Sequence, residues 1–488
     1  MIIGYAQLCA ADVATWHAGA TAWRRLAQQL DERLEEFDAT AAGLRQDWRG
    51  TAADAASVAV ADLRGLTAAC RTPIEQTGRL LAEHADRVSA ARQALLAART
   101  PEQAAMAVAA ARQSDERTAT ALTQLTASLS PPCPPNAGPV AVREWWRSLS
   151  KTQRDLLILS SPERIGRLDG VPAADRDRAN RELLRHEQDR LTTLLDSLRA
   201  DPNADRERDR VERTLAGLAT LADRLARPGT YLLGLDTAGD GRAIVALGDP
   251  DHSANVLTYV PGMAVRLDGH LGTSLDRTAA MAEATAAADP AKSTAAVLWL
   301  GYDAPDNVLQ AASASAAHDA RAALHEFQDG LAATHEGEFG EQSVVGHSYG
   351  ALVVGETVRD LGLRADDLVF LGAPGVGVEH AADLHVDPKT VWAASADNDI
   401  VGLSAPSVRQ VLKELVWPRY MGDPMPDLWH GHNPADAGFG GHVFEAADNP
   451  NPISAHLAYW DRGNPALTNV GRIAAGQDTS VSAPPPKS

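Results

Sequence analysis

Residues 341–354, EQSVVGHSYGALVV, place Ser348 between Gly346 and Gly350. The residues before this serine are rich in valine and predict a buried strand, and the small residues after it predict a helix. A serine on a sharp strand-to-helix turn needs glycine on both sides, because a Cβ there would collide with the neighbouring backbone. The stretch therefore predicts a nucleophile elbow, with the Ser348 hydroxyl in front of a helix N-terminus.

Short runs of valine and leucine recur on both sides of this elbow. The runs are TYLLGLD, RAIVALGD, VLTYVPG, AAVLWLGYDAP, QSVVGHS, DLVFLGAPG and TVWAASADND. The first two flank the turn TAGDG and predict a β-hairpin, because Asp-Gly between apolar runs is a strong turn signal. The others alternate with helical segments, which is typical of a parallel sheet buried on both faces. The predicted fold class is α/β, with a mostly parallel sheet preceded by an all-helical N-terminal region.

The first third of the chain shows helical periodicity. Large apolar residues recur every seven positions from Trp16 to Leu44, a second seam runs from Ala59 to Leu95, and Gly50 separates the two. This pattern predicts two antiparallel helices. Composition and periodicity together predict five segments: a helical module over 1–129, a proline-rich linker over 130–140, a helical lead-in over 141–227, a catalytic α/β domain over 228–476 and a disordered tail over 477–488.

Composition excludes several classes of partner and site. The formal net charge of −19 disfavours nucleic acid and anionic membranes, which both need a basic face. No apolar run reaches the length of a membrane span, and the N-terminus lacks the basic and apolar regions of a general secretory signal. We therefore expect a chain in the cytoplasm or one exported by another route. Three widely spaced cysteines predict neither a disulfide framework nor a zinc site.

A serine nucleophile needs a base, and the base needs an acid that orients it, in the chain order serine, acid, histidine. The segment TVWAASADNDIV offers Asp397 and Asp399 as the acid, and we favour Asp399 because Ile-Val follows it. The histidines after this segment are His430, His432, His442 and His456. We favour His456 as the base because it lies in SAHLAYW, just before the last predicted helix.

An acyl-transfer site also needs two N–H groups that stabilise the oxyanion, one of them from the residue after the serine. Tyr349 supplies the first, and the segment YVPGMA supplies the second through Gly262 and Met263. His347 points away from the serine and is expected to pack or to form a hydrogen bond. His430 and its neighbour in WHGHNP lack a third ligand at regular spacing, so we expect no metal and no cofactor.

The N-terminal hairpin with its Trp48-Arg49-Gly50 turn resembles the small W-x-G helical proteins of type VII secretion systems over residues 10–95. That resemblance implies a helical partner, or self-association, through these residues. The Tyr-x-x-x-Asp/Glu export signal of those systems is not found at the end of the second helix.

An ordered set of motifs extends over residues 140–475. They are WWRSLS, IGRLDGVPAADRDRAN, YVPGMA, WLGYDAP, VVGHSYG, GAPGVGV and SAHLAYW. Together they resemble an actinobacterial α/β-hydrolase family of unknown function, distantly similar to cutinases. The resemblance implies a serine hydrolase with Ser348, Asp399 and His456 as its triad, acting on small-molecule or lipid carboxylic esters. The alternative is an export or partner-binding protein whose hydrolase domain is a scaffold or an acyltransferase.

Overall fold

The computed structural model describes residues 4–199, 203–267, 270–337, 340–399 and 430–484. Contacts divide the chain into two compact units, each described below on its own. The first unit comprises residues 1–133 and 147–160, and the second comprises residues 134–146 and 161–488. The Ile400-Val401 pair that favoured Asp399 in the sequence lies outside the described residues.

Helices occupy most of the chain before the first strand. They are α1 (Tyr5–Cys9), α2 (Val13–Asp47), α3 (Thr51–Ala97), α4 (Pro101–Leu129), α5 (Pro139–Ser148), α6 (Lys151–Ser160), α7 (Pro162–Gly166), α8 (Ala173–Leu198) and α9 (Asp205–Leu225).

In the first unit, α2 and α3 pack antiparallel. Arg64 of α3 forms an ion pair with Asp38 of α2 at 2.5 Å. Arg71, which lies further along α3, pairs at 3.1 Å with Asp31, which lies earlier in α2, so the two helices run in opposite directions. Helices α1, α3 and α4 share a small apolar core. Its buried members are Leu8, Val88, Ala91, Leu95, Ala107 and Ala111.

The predicted apolar seam of α2 and α3 is only partly buried. Ala20 and Ala27 are buried, whereas Trp23 is 37% exposed and Leu63 is 51% exposed. The reason is geometric, because two packed helices bury only the narrow line of side chains along their contact. The α3 residues that belong to the core shared with α1 and α4 lie near the C-terminal end of α3. The seam predicted the antiparallel pairing of α2 and α3, but only part of its apolar side chains is buried in the structure.

In the second unit, eight strands form one sheet in the described chain. They are β1 (Thr230–Asp236), β2 (Arg242–Leu247), β3 (Asn255–Val260), β4 (Thr294–Leu300), β5 (Glu341–His347), β6 (Asp367–Leu371), β7 (Val391–Ala394) and β8 (His442–Val443). Their order is β1-β2-β4-β3-β5-β6-β7-β8. The β1–β2 and β2–β4 pairs are antiparallel and all other pairs are parallel. The predicted fold, a mostly parallel sheet after a helical region, is confirmed.

Helices cover both faces of this sheet. After β3 they are α10 (Leu271–Ala288), α11 (Val308–Ala311), α12 (Ser315–Thr334), α13 (Tyr349–Leu361), α14 (Pro452–Leu457) and α15 (Pro465–Ile473). Successive β3 side chains point to opposite faces. Leu257 and Tyr259 join a core with α9, α10 and α15, whereas Val256 and Val260 join a core with α12 and α13. Burial on both faces explains why the strands read as continuous apolar runs.

Two segments that were predicted to lie outside the catalytic domain pack within the second unit. In α8, the Asp177 carboxylate accepts the Leu232 N–H at 2.7 Å, and Arg181 donates to the Thr230 carbonyl at 2.8 Å, so this helix is fastened to β1. Near the C-terminus, Ser482 donates its N–H to Asn469 at 3.1 Å. Gln477 donates to the Ala288 carbonyl at 2.7 Å and Arg472 to the Ser480 carbonyl at 2.7 Å, so residues 477–482 are held by hydrogen bonds, where composition alone predicted disorder from residue 477.

Within the described residues, no helix combines the length and the apolar character that a membrane-spanning helix requires.

The contact between α15 and α10 makes a stability prediction. A Cβ added to Gly471 would lie 2.5 Å from the Ala284 carbonyl carbon, whereas one added to Gly272 of α10 would have its nearest neighbour, a Thr220 methyl, at 3.8 Å. Gly471→Ala should lower the free energy of unfolding by about 2–3 kcal/mol through overpacking. Gly272→Ala should be neutral or stabilising by up to about 1 kcal/mol, because alanine favours the helix. Urea unfolding of both variants checks this, and an equal effect at the two sites would contradict the packing.

Candidate active site

Ser348 lies on the turn between β5 and α13, as the sequence predicted. Its backbone has φ 53° and ψ −126°, a conformation that residues with a side chain rarely adopt. Its N–H donates to the Leu371 carbonyl at 3.0 Å, which fixes the turn against the end of β6. Its side chain is half-buried. A strained turn of this kind lifts the hydroxyl out of the plane of the sheet, at the start of α13.

The turn requires a very close approach of two strand ends. A Cβ at Gly350 would lie 2.2 Å from the Val260 carbonyl oxygen, a distance that no side chain tolerates. A Cβ at Gly262 would lie 2.7 Å from the Ser348 Cβ and 3.2 Å from its Oγ. The backbone at Gly262 is therefore in contact with the serine side chain, and both glycines are needed for that contact.

The loop that contains Gly262 is held at both ends. The Tyr302 hydroxyl donates to the Pro261 carbonyl at 2.7 Å, and the Ala264 N–H donates to the Pro305 carbonyl at 2.8 Å. Met263 lies between these two anchors and is half-buried. The segment after β4 thus fixes the loop beside the serine.

The two N–H groups predicted for the oxyanion belong to Met263 and Tyr349. Among the residues that the structure describes, neither N–H has a hydrogen-bond acceptor. The Tyr349 side chain is fixed by two hydrogen bonds, because its hydroxyl donates to the Ser313 carbonyl at 2.6 Å and accepts the Ala317 N–H at 3.2 Å. Burial raises the pKa of Tyr349 to about 12, so the phenol stays neutral at physiological pH.

His456 and Asp399 are brought together by the fold, although 57 residues separate them. The His456 Nδ1 atom lies 3.0 Å from each Asp399 carboxylate oxygen. Asp399 is fully buried, and the His456 side chain is 14% exposed. A carboxylate only accepts hydrogen bonds, so Nδ1 carries the proton and Nε2 is left as the basic nitrogen.

The other candidate acid lies elsewhere. Asp397 is exposed, and its N–H donates to the Asp448 carboxylate at 2.6 Å. Only Asn398 separates it from Asp399, and the chain turns here, because the Asp399 N–H donates to the Ala396 carbonyl at 3.0 Å. The structure therefore places Asp399, rather than Asp397, against the imidazole of His456.

His347 lies beside His456. Its ring centroid is 4.7 Å from that of His456, and its Nε2 lies 3.0 Å from the His456 carbonyl oxygen. Since a carbonyl only accepts, Nε2 of His347 carries a proton and donates it. Burial holds the pKa of His347 well below its usual range, so the ring stays neutral beside the base.

The remaining histidines after the acid have other roles. His430 Nε2 donates to the Ala311 carbonyl at 2.9 Å, His432 lies 3.5 Å from Asp436, and His442 stacks on Trp392. In the described part of the chain, no group of three histidine, cysteine or acidic side chains is arranged to hold a metal ion.

Tyr459 contacts Asp399, and no sequence pattern predicted this contact. Its hydroxyl lies 2.5 Å from an Asp399 carboxylate oxygen, and its ring is buried. The only signal available in the sequence was its position three residues after His456 in SAHLAYW, which had no assigned role.

Comparison with known proteins adds the family. A family model described as "Alpha/beta hydrolase" matches residues 236–409. An uncharacterised protein of Mycobacterium bovis is 34% identical over 203 residues, which cover 39% of this chain and 76% of that protein. This chain belongs to the α/β-hydrolase family.

A second relative extends the likeness beyond the hydrolase match. An uncharacterised protein of Mycobacterium tuberculosis is 32% identical over 378 residues, covering 71% of this chain. The chain spans 57% of that relative's length. Among solved structures, a hyperthermophilic esterase from the archaeon Pyrobaculum calidifontis aligns with 60% of this chain and 98% of its own, at 14% identity and a TM-score of 0.25. A TM-score this low supports no inference about this α/β-hydrolase.

The strain at Ser348 makes a prediction about stability alone. Glycine adopts a positive φ without a steric cost, whereas alanine keeps the Cβ that causes it. We expect Ser348→Gly to be more stable than Ser348→Ala by about 1 kcal/mol, the lower end of the cost of such a conformation. Thermal unfolding of the two variants measures the difference, and a less stable glycine variant would show that the turn is unstrained.

Proposed function

We propose that this α/β-hydrolase is a serine hydrolase that cleaves carboxylic esters through an acyl-enzyme, with Ser348, Asp399 and His456 as its triad. The observation that carries the proposal is the buried Asp399 carboxylate on His456 Nδ1, in a chain whose serine stands on a strained turn. A carboxylate in that position fixes the tautomer in which Nε2 is the base.

In the first half of the reaction, Ser348 Oγ attacks the ester carbonyl carbon while His456 Nε2 takes the hydroxyl proton. The carbonyl oxygen becomes an oxyanion, which the N–H groups of Tyr349 and Met263 stabilise. The intermediate then collapses, the bond to the alcohol oxygen breaks, and His456 returns its proton to the departing alcohol. The acyl group remains on Ser348.

In the second half, a water molecule replaces the alcohol. His456 takes a proton from the water as its oxygen attacks the acyl carbon, and the second oxyanion meets the same two N–H groups. Collapse releases the carboxylic acid and returns the proton to Ser348. Asp399 stays ionised throughout and stabilises the imidazolium that forms in each half.

The class of substrate follows from the same groups. The site offers one serine, one base and two oxyanion donors, which is sufficient for acyl transfer from an ester without a cofactor. The resemblance to cutinases extends the proposal to lipid esters as well as small ones.

A second candidate function is partner binding by the first unit, with the hydrolase domain as a scaffold or an acyltransferase. Large apolar side chains on its helices stay exposed, with Val58 at 63% and Leu63 at 51%. Together with the W-x-G resemblance, they favour a helical partner, or self-association, through residues 10–95. A fluorophosphonate probe separates a scaffold from either enzyme, because it labels an activated serine and ignores an inert one, and release of free carboxylic acid from an ester separates a hydrolase from an acyltransferase.

The proposal predicts the behaviour of the serine variant. Ser348→Ala should lower p-nitrophenyl ester turnover about a thousandfold or more, because the covalent step is lost, while the fold is retained. Fluorophosphonate labelling should disappear with it. Turnover that survives the substitution in a folded variant would rule out Ser348 as the nucleophile.

The two loop acids provide a matched pair. Asp399→Asn preserves the shape of the site but allows the wrong tautomer of His456, at a cost of about ten thousandfold in turnover. Asp397→Asn changes an exposed side chain and should cost less than about threefold. Ester turnover of both variants at equal thermal stability is the measurement. The reverse ranking would make Asp397 the acid.

A further inference from the structure

We infer that Tyr459 is a positioning residue of the proposed triad, because its hydroxyl donates a hydrogen bond to Asp399 and holds the acid in the orientation that receives His456. This inference rests on the proposed function and adds to it a residue that the triad itself does not contain. The contact joins the Tyr459 hydroxyl to Asp399 Oδ2 at 2.5 Å, a length typical of a hydrogen bond to a charged acceptor.

The direction of this hydrogen bond is fixed by a second one. The Ala396 N–H lies 3.1 Å from the Tyr459 oxygen, and a backbone N–H can only donate. The phenol oxygen therefore accepts from Ala396, and its own proton is left for the carboxylate. Burial, and then the charge of Asp399, raise the pKa of Tyr459 far above its usual range, so the phenol stays protonated while the enzyme works.

The position of Tyr459 in the chain explains what the contact achieves. It lies just beyond α14, which carries His456, whereas Ala396 and Asp399 lie on the loop after β7. Through its two hydrogen bonds, one phenol ties the loop of the acid to the segment of the base. Asp399 Oδ2 meets both the phenol and the imidazole, so the carboxylate cannot rotate without breaking contacts to both.

The contact also has an electrostatic consequence. A donor on Asp399 draws negative charge away from the imidazole, so the phenol weakens the stabilisation of the imidazolium. Removing the hydroxyl should strengthen that stabilisation and move the acid limb of the pH–rate profile, where the rate falls at low pH, to a higher pH. A purely structural tyrosine would leave this pH unchanged.

Few other charges face this group. His347 on β5 lies beside the base and is neutral, because burial lowers its pKa. Arg277 on α10 lies over the Trp460 ring at 4.3 Å and stays charged across the working range. The acid limb of the pH profile should therefore report on the Asp399–His456 pair.

The test measures the rate of fluorophosphonate labelling of the full chain against pH, which needs no knowledge of the natural ester. Tyr459→Phe should label about ten- to a hundredfold more slowly, the effect of losing a hydrogen bond to a charged group. Its acid limb should move up by about half a pH unit or more. Tyr231→Phe removes a phenol on β1, at the opposite edge of the sheet from β7, and should change neither quantity.

A double-mutant cycle tests whether the loss of labelling rate in Tyr459→Phe depends on Asp399. If Tyr459 acts through Asp399, adding Tyr459→Phe to Asp399→Asn should lower the remaining rate by no more than about twofold. Equal losses with and without Asp399 would overturn the proposal. So would a slow Tyr459→Phe variant whose acid limb is unmoved, or a variant that labels like the wild type.

Two further controls keep the test decisive. If circular dichroism shows that Tyr459→Phe is unfolded, 3-fluorotyrosine at position 459 keeps the native shape and makes the phenol a stronger donor. Its acid limb should then move down, and an unmoved limb would overturn the proposal. Failure of the wild-type chain to label at all, or undiminished labelling of Ser348→Ala, would instead contradict the proposed function.

Discussion

The close approach of β3 and β5 at their carboxyl ends is the constraint on which the site depends. With Gly350 against the Val260 carbonyl, the chain can turn directly from β5 into α13 and hold Ser348 at a positive φ. Such a conformation costs about 1–3 kcal/mol, which the surrounding structure must offset. The burial of residues 349–358 of α13 supplies that support, because the helix cannot shift away from the sheet without exposing an apolar face.

Asp399 and His456, the proposed acid and base, meet at a buried position where burial sets the electrostatics. A fully buried carboxylate is costly unless donors satisfy it, and the described residues give Asp399 an imidazole and a phenol. His347 adds a second ring beside the base without adding a charge, because burial keeps it neutral. Its hydrogen bond to the His456 carbonyl fastens the helix of the base to the end of β5. Ser348 and His456 are thus both positioned from the end of β5.

The likeness to mycobacterial proteins extends beyond the hydrolase match at 236–409, since the alignment with the M. tuberculosis relative covers 71% of this chain. The structure gives a reason for part of that extent. Helix α8 is bound to β1 through Asp177 and Arg181, so the helices before the sheet are part of the second unit's packing. The first unit is different, because its long helices bury mostly small side chains and leave several large apolar ones exposed.

The sequence by itself determined the elements and their order, because strands buried on both faces, amphipathic helices and a glycine-flanked serine each have a local pattern. It also predicted Ser348 as the nucleophile, and it favoured His456 among four histidines and Asp399 over Asp397. Only the tertiary structure shows which of the two aspartates is buried against His456, since Asp397 and Asp399 are two residues apart in the same loop. The hydrogen bond between Tyr459 and Asp399 could not be predicted from the sequence either. The two residues are 60 positions apart, so their contact depends on packing and has no local sequence pattern.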